Sequence, residues 1–139
     1  MIRDATLHDS EILVALLDQL GYPDTASFIT SRLTELLEHP DARVMVYEEK
    51  GRVVALLCTH FIPQLALLKP FLRISYFVVD EASRSHHIGA ILEAYVEKLA
   101  KEKGCDRIEV HCHERRKNAY RFYARQGYVE SPKYLIKML

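Results

Sequence analysis

The chain has 139 residues, enough for one domain with a single well-buried core and too few for two. Apolar residues make up 49% and charged residues 27%, the balance of a soluble globular protein rather than a disordered one. With 19 basic against 19 acidic residues the formal net charge is zero, so the basic stripe of a nucleic-acid binder is missing and a small-molecule partner is expected. No apolar run approaches the ~20 residues that span a bilayer. The first five residues also lack the charged-then-apolar design of a secretion signal, so no membrane association is expected. Cys58, Cys105 and Cys112 are an odd count without CxxC spacing, which fits free thiols in a reducing, cytoplasmic setting.

Residues 2–6 read as a short extended segment. Asp9 or Ser10 can cap a helix whose inward positions are Ile12, Leu13, Leu16, Leu17 and Leu20, and Gly21 stops it. The step 23–25 (Pro-Asp-Thr) starts a second helix, with Phe28, Ile29, Leu33, Leu36 and Leu37 inward and Pro40 past its end. The period then changes. A strand over 44–47, a tight turn at 49–52 and a strand over 53–62 form a β-hairpin. After a loop of mixed polarity, 63–70, the next strand spans 71–80 and feeds a short polar loop, with a helix starting near Ile88 and Gly89. That helix is strongly periodic: Ile88, Ile91, Leu92, Tyr95, Val96, Leu99 and Ala100 share one face. Lys103-Gly104 ends it, and 107–113 forms another strand. Strand, helix and strand with a crossover of this length imply a parallel pair. A short helix over 115–126, ended by Gly127, and a last strand over 134–138 complete one α+β layer structure: a mixed sheet, antiparallel early, covered by helices.

Two segments carry chemistry. The loop between Asp80 and Gly89 turns unpaired backbone N–H groups outward at the positive end of a helix, a seat for phosphate or pyrophosphate. An ordinary strand–loop–helix corner is the plainer reading of that loop taken alone. In the second segment, Ala119, Phe122 and Tyr123 lie on one helical stripe, so one of the aromatics can reach past the core into a cleft. Before it stand Arg115, Arg116 and Lys117. Three cations in a helix's first turn oppose the macrodipole by a few tenths of a kcal/mol each; a bound polyanion would reverse that cost, whereas a solvated cluster needs no ligand.

Together these segments resemble the GNAT superfamily of N-acetyltransferases. The family's cofactor motif, Arg/Gln-x-x-Gly-x-Gly/Ala after a Val-Val-Asp-like strand end, stands here as Arg84-Ser85-His86-His87-Ile88-Gly89. Its later Asn-Ala-x-x-Phe-Tyr-x-x-x-Gly-Tyr pattern is met by Asn118, Ala119, Phe122, Tyr123, Gly127 and Tyr128. Residues 2–6, 20–23 and 136–139 are also similar to the family, so the resemblance covers nearly the whole chain, and two motifs in the right order are fairly specific. The termini are most like aminoalkylphosphonate and aminoglycoside-type acetyltransferases.

The resemblance implies a GNAT-like mixed, mostly antiparallel sheet with a central parallel strand pair and about four flanking helices, in a single domain over 1–139. It implies acetyl-CoA as cosubstrate and direct transfer of an acetyl group to a primary amine of a small molecule; a homodimer is kept open. The pantetheine chain is expected at Phe77, Val78 and Val79, the diphosphate at Arg84, Ser85, His86, His87, Ile88, Gly89 and Ala90, with Asn118 and Tyr123 also at the cofactor. Tyr123 is expected to protonate the leaving thiolate, since a phenol near pKa ~10 can donate to it. A buried phenol with a simple hydrogen bond is the alternative.

Two departures stand out. The first loop glycine of the family is His87 here, whose β-carbon disfavours positive φ and limits approach to an anion, so binding is weakened or the loop uses negative φ only; alternatively, a protonated imidazole helps hold phosphate. Related enzymes often carry a glutamate on the strand before the loop, but residues 73–76 (Arg-Ile-Ser-Tyr) offer none before Asp80. His111 and His113, on the polar face of their strand with Glu109, are the first candidates for the general base; Tyr76 and His60 stand behind them. His-x-His can chelate, but no second ligand pair at fixed offset supports a metal, and none is expected. The acceptor pocket is expected from the first two helices, the 63–70 loop and the final strand. Glu35, Glu38 and Asp41 suit a cationic amine, whereas Arg73, Lys69 and Lys133 suit a phosphonate. The competing reading is a non-catalytic acyl-CoA sensor of the same fold, towards which His87 and the missing carboxylate both lean.

Overall fold

The computed structural model describes residues 1–112, 116–131 and 134–139. Strand β1 (Ile2–Asp4) lies at one edge of a five-stranded sheet, followed by helices α1 (Ser10–Leu20) and α2 (Ile29–Glu38). Then come β2 (Ala42–Glu49), β3 (Arg52–Ile62), β4 (Phe71–Val79), α3 (Ile88–Glu102), β5 (Ile108–Val110) and α4 (Lys117–Arg125). The sheet order is β1-β2-β3-β4-β5, antiparallel except for the parallel β4–β5 pair. The expected α+β class and the strand–helix–strand crossover are therefore present.

The hairpin between β2 and β3 closes with Lys50 and Gly51 both at positive φ (53° and 76°), the backbone of a two-residue turn that matches the strand twist. Two apolar layers flank the sheet. On one face, Ile88, Leu92, Val96, Leu99 and Ala100 of α3 pack on Met45, Ala55, Leu57, Leu72 and Ile74. On the other, Leu13, Leu16, Leu17 and Leu33 of α1 and α2 pack on Val44, Val46, Leu56, Cys58 and Val78. Among the described residues no helix is long and apolar enough to cross a membrane.

Several expected boundaries move, each for a physical reason. Helix α2 begins at Ile29 rather than at 23–25: Asp24 takes φ 64° and Thr25 opens a turn, accepting the N–H groups of Phe28 (3.1 Å) and Ile29 (2.9 Å). Phe28 and Leu37 are consequently exposed rather than inward. Asp9 does not cap α1 with its side chain; its carboxylate accepts from the Thr6 N–H (2.8 Å) and from both terminal nitrogens of Arg3 (2.9 and 3.0 Å). Strand β5 is shorter than 107–113 because a strand lasts only while its neighbour runs beside it, and β4 leaves β5 after the Ile74–Val110 pair. Helix α4 starts at Lys117, itself one of the three clustered cations; Arg116 is its N-cap and Arg115 lies outside the described residues.

The expected strand over 134–138 is not formed. Tyr134 to Leu139 are exposed, with Leu135 at 96% and Met138 at 82%. Among the described residues, no strand of the sheet pairs with this tail. Without that strand, the parallel pair sits at the edge of the sheet rather than at its centre.

Candidate active site

The site grows from a mismatch in strand length. β4 pairs with β5 through Leu72–Ile108, Arg73–Glu109 and Ile74–Val110, then continues alone for residues 75–79. On that side no described strand pairs with it, so a wedge opens between β4 and the chain leaving β5. On its other side β4 stays paired to β3, but with a shift: Cys58 faces Tyr76 while Thr59 faces Ile74. Ser75 is thus the extra residue of a β-bulge, a device that re-aims side chains, and the bulge falls where the wedge begins. Its Oγ lies 2.7 Å from Nδ1 of His60 on β3. The Tyr76 ring meets Tyr22, just past α1, edge-on at 5.4 Å. Both contacts lie on the α1/α2 side of the sheet.

Beyond Val79 the chain is pinned before it turns. Gln19 of α1 donates to the buried Asp80 carboxylate (2.9 Å) and accepts the Glu81 N–H (3.1 Å), while Arg52 reaches the other Asp80 oxygen at 3.4 Å. A 3₁₀ stretch, Glu81–His86, follows, with Arg84 Nε donating to the Val79 carbonyl at 3.1 Å. His86 Nδ1 stands 3.7 Å from Glu49 Oε2. His87 is the N-cap of α3 and sits in the left-handed region at φ 59°, ψ 16°, so the expectation of negative φ at this loop position does not hold. Its side chain is exposed and does not cap the helix. Among the described residues no side chain satisfies the first amides of α3, no acidic residue occupies its first turn, and the Ile91 N–H bonds back to the His87 carbonyl. The amides of Ile88, Gly89 and Ala90 therefore point along the helix axis, where a helix end attracts anions.

Gly89 matters for space rather than for its dihedrals. A β-carbon there would lie 3.2 Å from Phe122 Cε1, so the first turn of α3 and α4 meet through this glycine. Phe122 and Tyr123 both pack edge-on against Phe77 of β4, at 5.9 and 6.4 Å, on the α3 side of the sheet. Burial keeps the Tyr123 phenol protonated well above the ordinary tyrosine range; nearby Cys112 and Glu93 add to this, and Arg116 opposes it. Glu93, only 4% exposed, accepts a hydrogen bond from Tyr128 at 3.2 Å, and its burial raises its carboxyl.

Of the residues singled out from sequence, Phe77, Arg84, His86, His87, Ile88, Gly89, Ala90 and Tyr123 gather around the wedge and the start of α3. The Val78 side chain turns away into the α1/α2 core. Asn118 lies in the first turn of α4, accepting weakly from Arg121 at 3.4 Å. His111 follows β5, exposed, with its ring stacked on Tyr134 at 4.3 Å. His113 and Lys133 lie outside the described residues, and of Ser85 only the backbone is described. Of the acceptor-side charges, Arg73 pairs with Glu109 at 3.3 Å and Glu35 with Arg32 at 3.6 Å. A hollow of about 240 Å³ lined by Asp41, Phe61, Pro63, Pro70 and Lys103 lies at the loop end of β3 and β4, away from the wedge.

A split parallel pair beside an uncapped helix start defines a class of fold. Two solved structures share the overall fold of this chain along its full length. A GNAT family acetyltransferase from Staphylococcus aureus aligns with TM-score 0.84 and 23% identity, covering 100% of this chain and 98% of that one. An aminoglycoside antibiotic 6'-N-acetyltransferase from Acinetobacter haemolyticus aligns with TM-score 0.84 and 17% identity, covering 100% and 99%. At those identities the likeness is one of fold. In sequence, the chain is 29% identical over 132 residues to an aminoalkylphosphonate N-acetyltransferase from Salmonella typhimurium, covering 94% of this chain and 85% of that protein. The model of the acetyltransferase (GNAT) family matches residues 11–128, and the chain belongs to that family.

Proposed function

We propose that the protein transfers an acetyl group from acetyl-CoA directly to a primary amine of a small molecule. The observation that carries this reading is the start of α3: three amides that no described side chain caps, without an acidic neighbour in the first turn, opening beside the wedge. Such an end suits a diphosphate, and Arg84 and His86 stand next to it. In this reading the segment Arg84 to Ala90, Ser85 included, holds the diphosphate. The free edge of β4 at Phe77, Val78 and Val79 holds the pantetheine arm, and Asn118 flanks it. Acetyl-CoA supplies an activated acyl group with a thiolate leaving group. Tyr123 keeps its proton at neutral pH, as an acid for that thiolate must. The base is first sought at His111 and His113. The likeness to an aminoalkylphosphonate enzyme makes small aminophosphonates the first acceptors to try. Isothermal titration with acetyl-CoA, followed by thiol detection across a panel of primary amines, tests the reading. Binding together with amine-dependent release of CoA is expected. Binding without release for any amine would favour an acyl-CoA sensor, and no binding at millimolar acetyl-CoA would end both.

A further inference from the structure

We infer that His60, acting through the Ser75 hydroxyl, takes up the proton that the incoming amine must lose. This rests on the acetyl-transfer reading and adds to it a proton acceptor on β3. Ser75 is both the extra residue of the β4 bulge and the first residue of β4 past its last pair with β5. A group lodged in the wedge thus meets the 75 position first, and Ser75 is half-buried there rather than closed off. The bulge faces that hydroxyl toward His60, 2.7 Å away, a short and direct proton path.

The surroundings of His60 suit a neutral imidazole. Across β2 its partner is Ala42, which brings no charge. From the end of α2 comes His39, ring centroids 6.3 Å apart, whose own Nδ1 accepts the Asp41 N–H. From β4 come Arg73 and Ser75. The acid of β5, Glu109, is bound by Arg73 and Arg107 and offers His60 no counter-charge. Burial, His39 and Arg73 all hold the imidazole below its ordinary value. It is therefore unprotonated at neutral pH, as a base must be.

The steps balance. The ammonium passes a proton to Ser75 Oγ as Ser75 gives its own to His60 Nδ1, leaving a neutral amine and an imidazolium. The nitrogen lone pair forms the C–N bond to the acetyl carbon and the C–S bond breaks. The sulfur takes the Tyr123 proton, and the phenolate recovers one from the acylated nitrogen. His60 then releases its proton to water.

The test compares wild type with His60→Gln, which keeps a polar partner for Ser75, and with Ser75→Ala, using the most active amine of the panel. Acetyl-CoA affinity by titration and thermal melting serve as controls. For His60→Gln a loss of kcat/KM of about 100-fold at pH 7 is expected. The acid limb of the wild-type pH profile, with its midpoint below the usual histidine value, should vanish, so that the rate climbs toward the pKa of the amine itself. For Ser75→Ala the same change of profile is expected with a smaller loss. Acetyl-CoA affinity should stay within twofold in both. A His60→Gln protein with kcat/KM within threefold of wild type and the acid limb intact would overturn the inference while leaving acetyl transfer standing. Wild type releasing no CoA with any amine would instead overturn the parent reading, and this one with it.

Discussion

The N-cap of α3 invites a direct perturbation. His87 holds φ 59°, a conformation that costs an L-residue roughly 1–2 kcal/mol, with histidine toward the low end because it visits this region more than most side chains. Glycine would remove that strain but bring about 0.5–1 kcal/mol of extra backbone entropy to the unfolded chain. The His87→Gly protein should therefore be more stable by about 0.5 kcal/mol, an upward shift in Tm of roughly 1–3 °C for a chain of this size. The exposed ring makes no capping bond, so its loss should subtract little. His87→Ala keeps the β-carbon and should gain nothing, whereas His87→Val places a β-branched residue in the left-handed region and should lose ~1–2 kcal/mol. Without the β-carbon an anion can approach the amides more closely, so coenzyme A should bind a few-fold tighter to His87→Gly, about 0.6 kcal/mol. Urea melts of the three variants and calorimetry with coenzyme A provide the comparison. A valine variant as stable as wild type, with glycine no better than alanine, would refute the left-handed N-cap and the reasoning built on it.

Three further outcomes are expected. Tyr123→Phe should lower kcat by about 100-fold, the usual contribution of a positioned acid, with acetyl-CoA affinity within twofold; thiol-release kinetics beside calorimetry would show the split, and an unchanged kcat would remove the residue from the mechanism. Asp9 is held below the ordinary carboxylate range chiefly by the Arg3 guanidinium. Its contribution is thus complete above ~3.9 and fades as pH falls through its lower folded value. Asp9→Asn should cost about 2 kcal/mol at pH 7 and progressively less under acid, as denaturant midpoints across pH would show. Glu93 behaves in the opposite sense: burial raises its carboxyl, so folding takes up a proton and stability declines as pH rises from ~4.3 through the higher folded value. Glu93→Gln keeps an acceptor for Tyr128, and its melting temperature should exceed that of wild type at pH 8 and match it near pH 4.

Where a signal is local, the chain announces it. Gly21 ends α1 at φ 107°, the apolar stripe of α3 faces the sheet, and the polar segment after Val79 does lead to an uncapped helix start. Contacts set by register are silent in the sequence. Nothing in residues 58–60 and 74–76 marks a bulge, so the meeting of Ser75 with a histidine 15 residues earlier needs the pairing itself. The need for glycine at 89 comes from a ring 33 positions on, and the tie from Gln19 to Asp80 spans 61. Glu93 did leave a trace: an acid beside Leu92 and Val96 on the inward stripe of α3. The tail is the opposite case. Its apolar run reads as a strand, yet composition cannot reveal whether a partner edge receives it.

The shortness of β5 is what lets the two faces of the sheet communicate. On the α3 side lie the helix start, Phe77, Phe122 and Tyr123; on the other lie His60, Ser75, Tyr76 and Tyr22. A continuous sheet would separate these groups with a closed backbone layer whose N–H and C=O groups are already paired. Ending β5 at Val110 leaves the edge of β4 unpaired from Ser75 onward, so a linear ligand can take the place of a strand there and present its end at the gap. In the proposed reaction, Tyr123 on the α3 side can then protonate the sulfur while His60 on the α1/α2 side takes up the proton of the amine. That division keeps the phenol of Tyr123 and the imidazole of His60 in separate environments, and burial moves their proton affinities in opposite directions, up for the phenol and down for the imidazole.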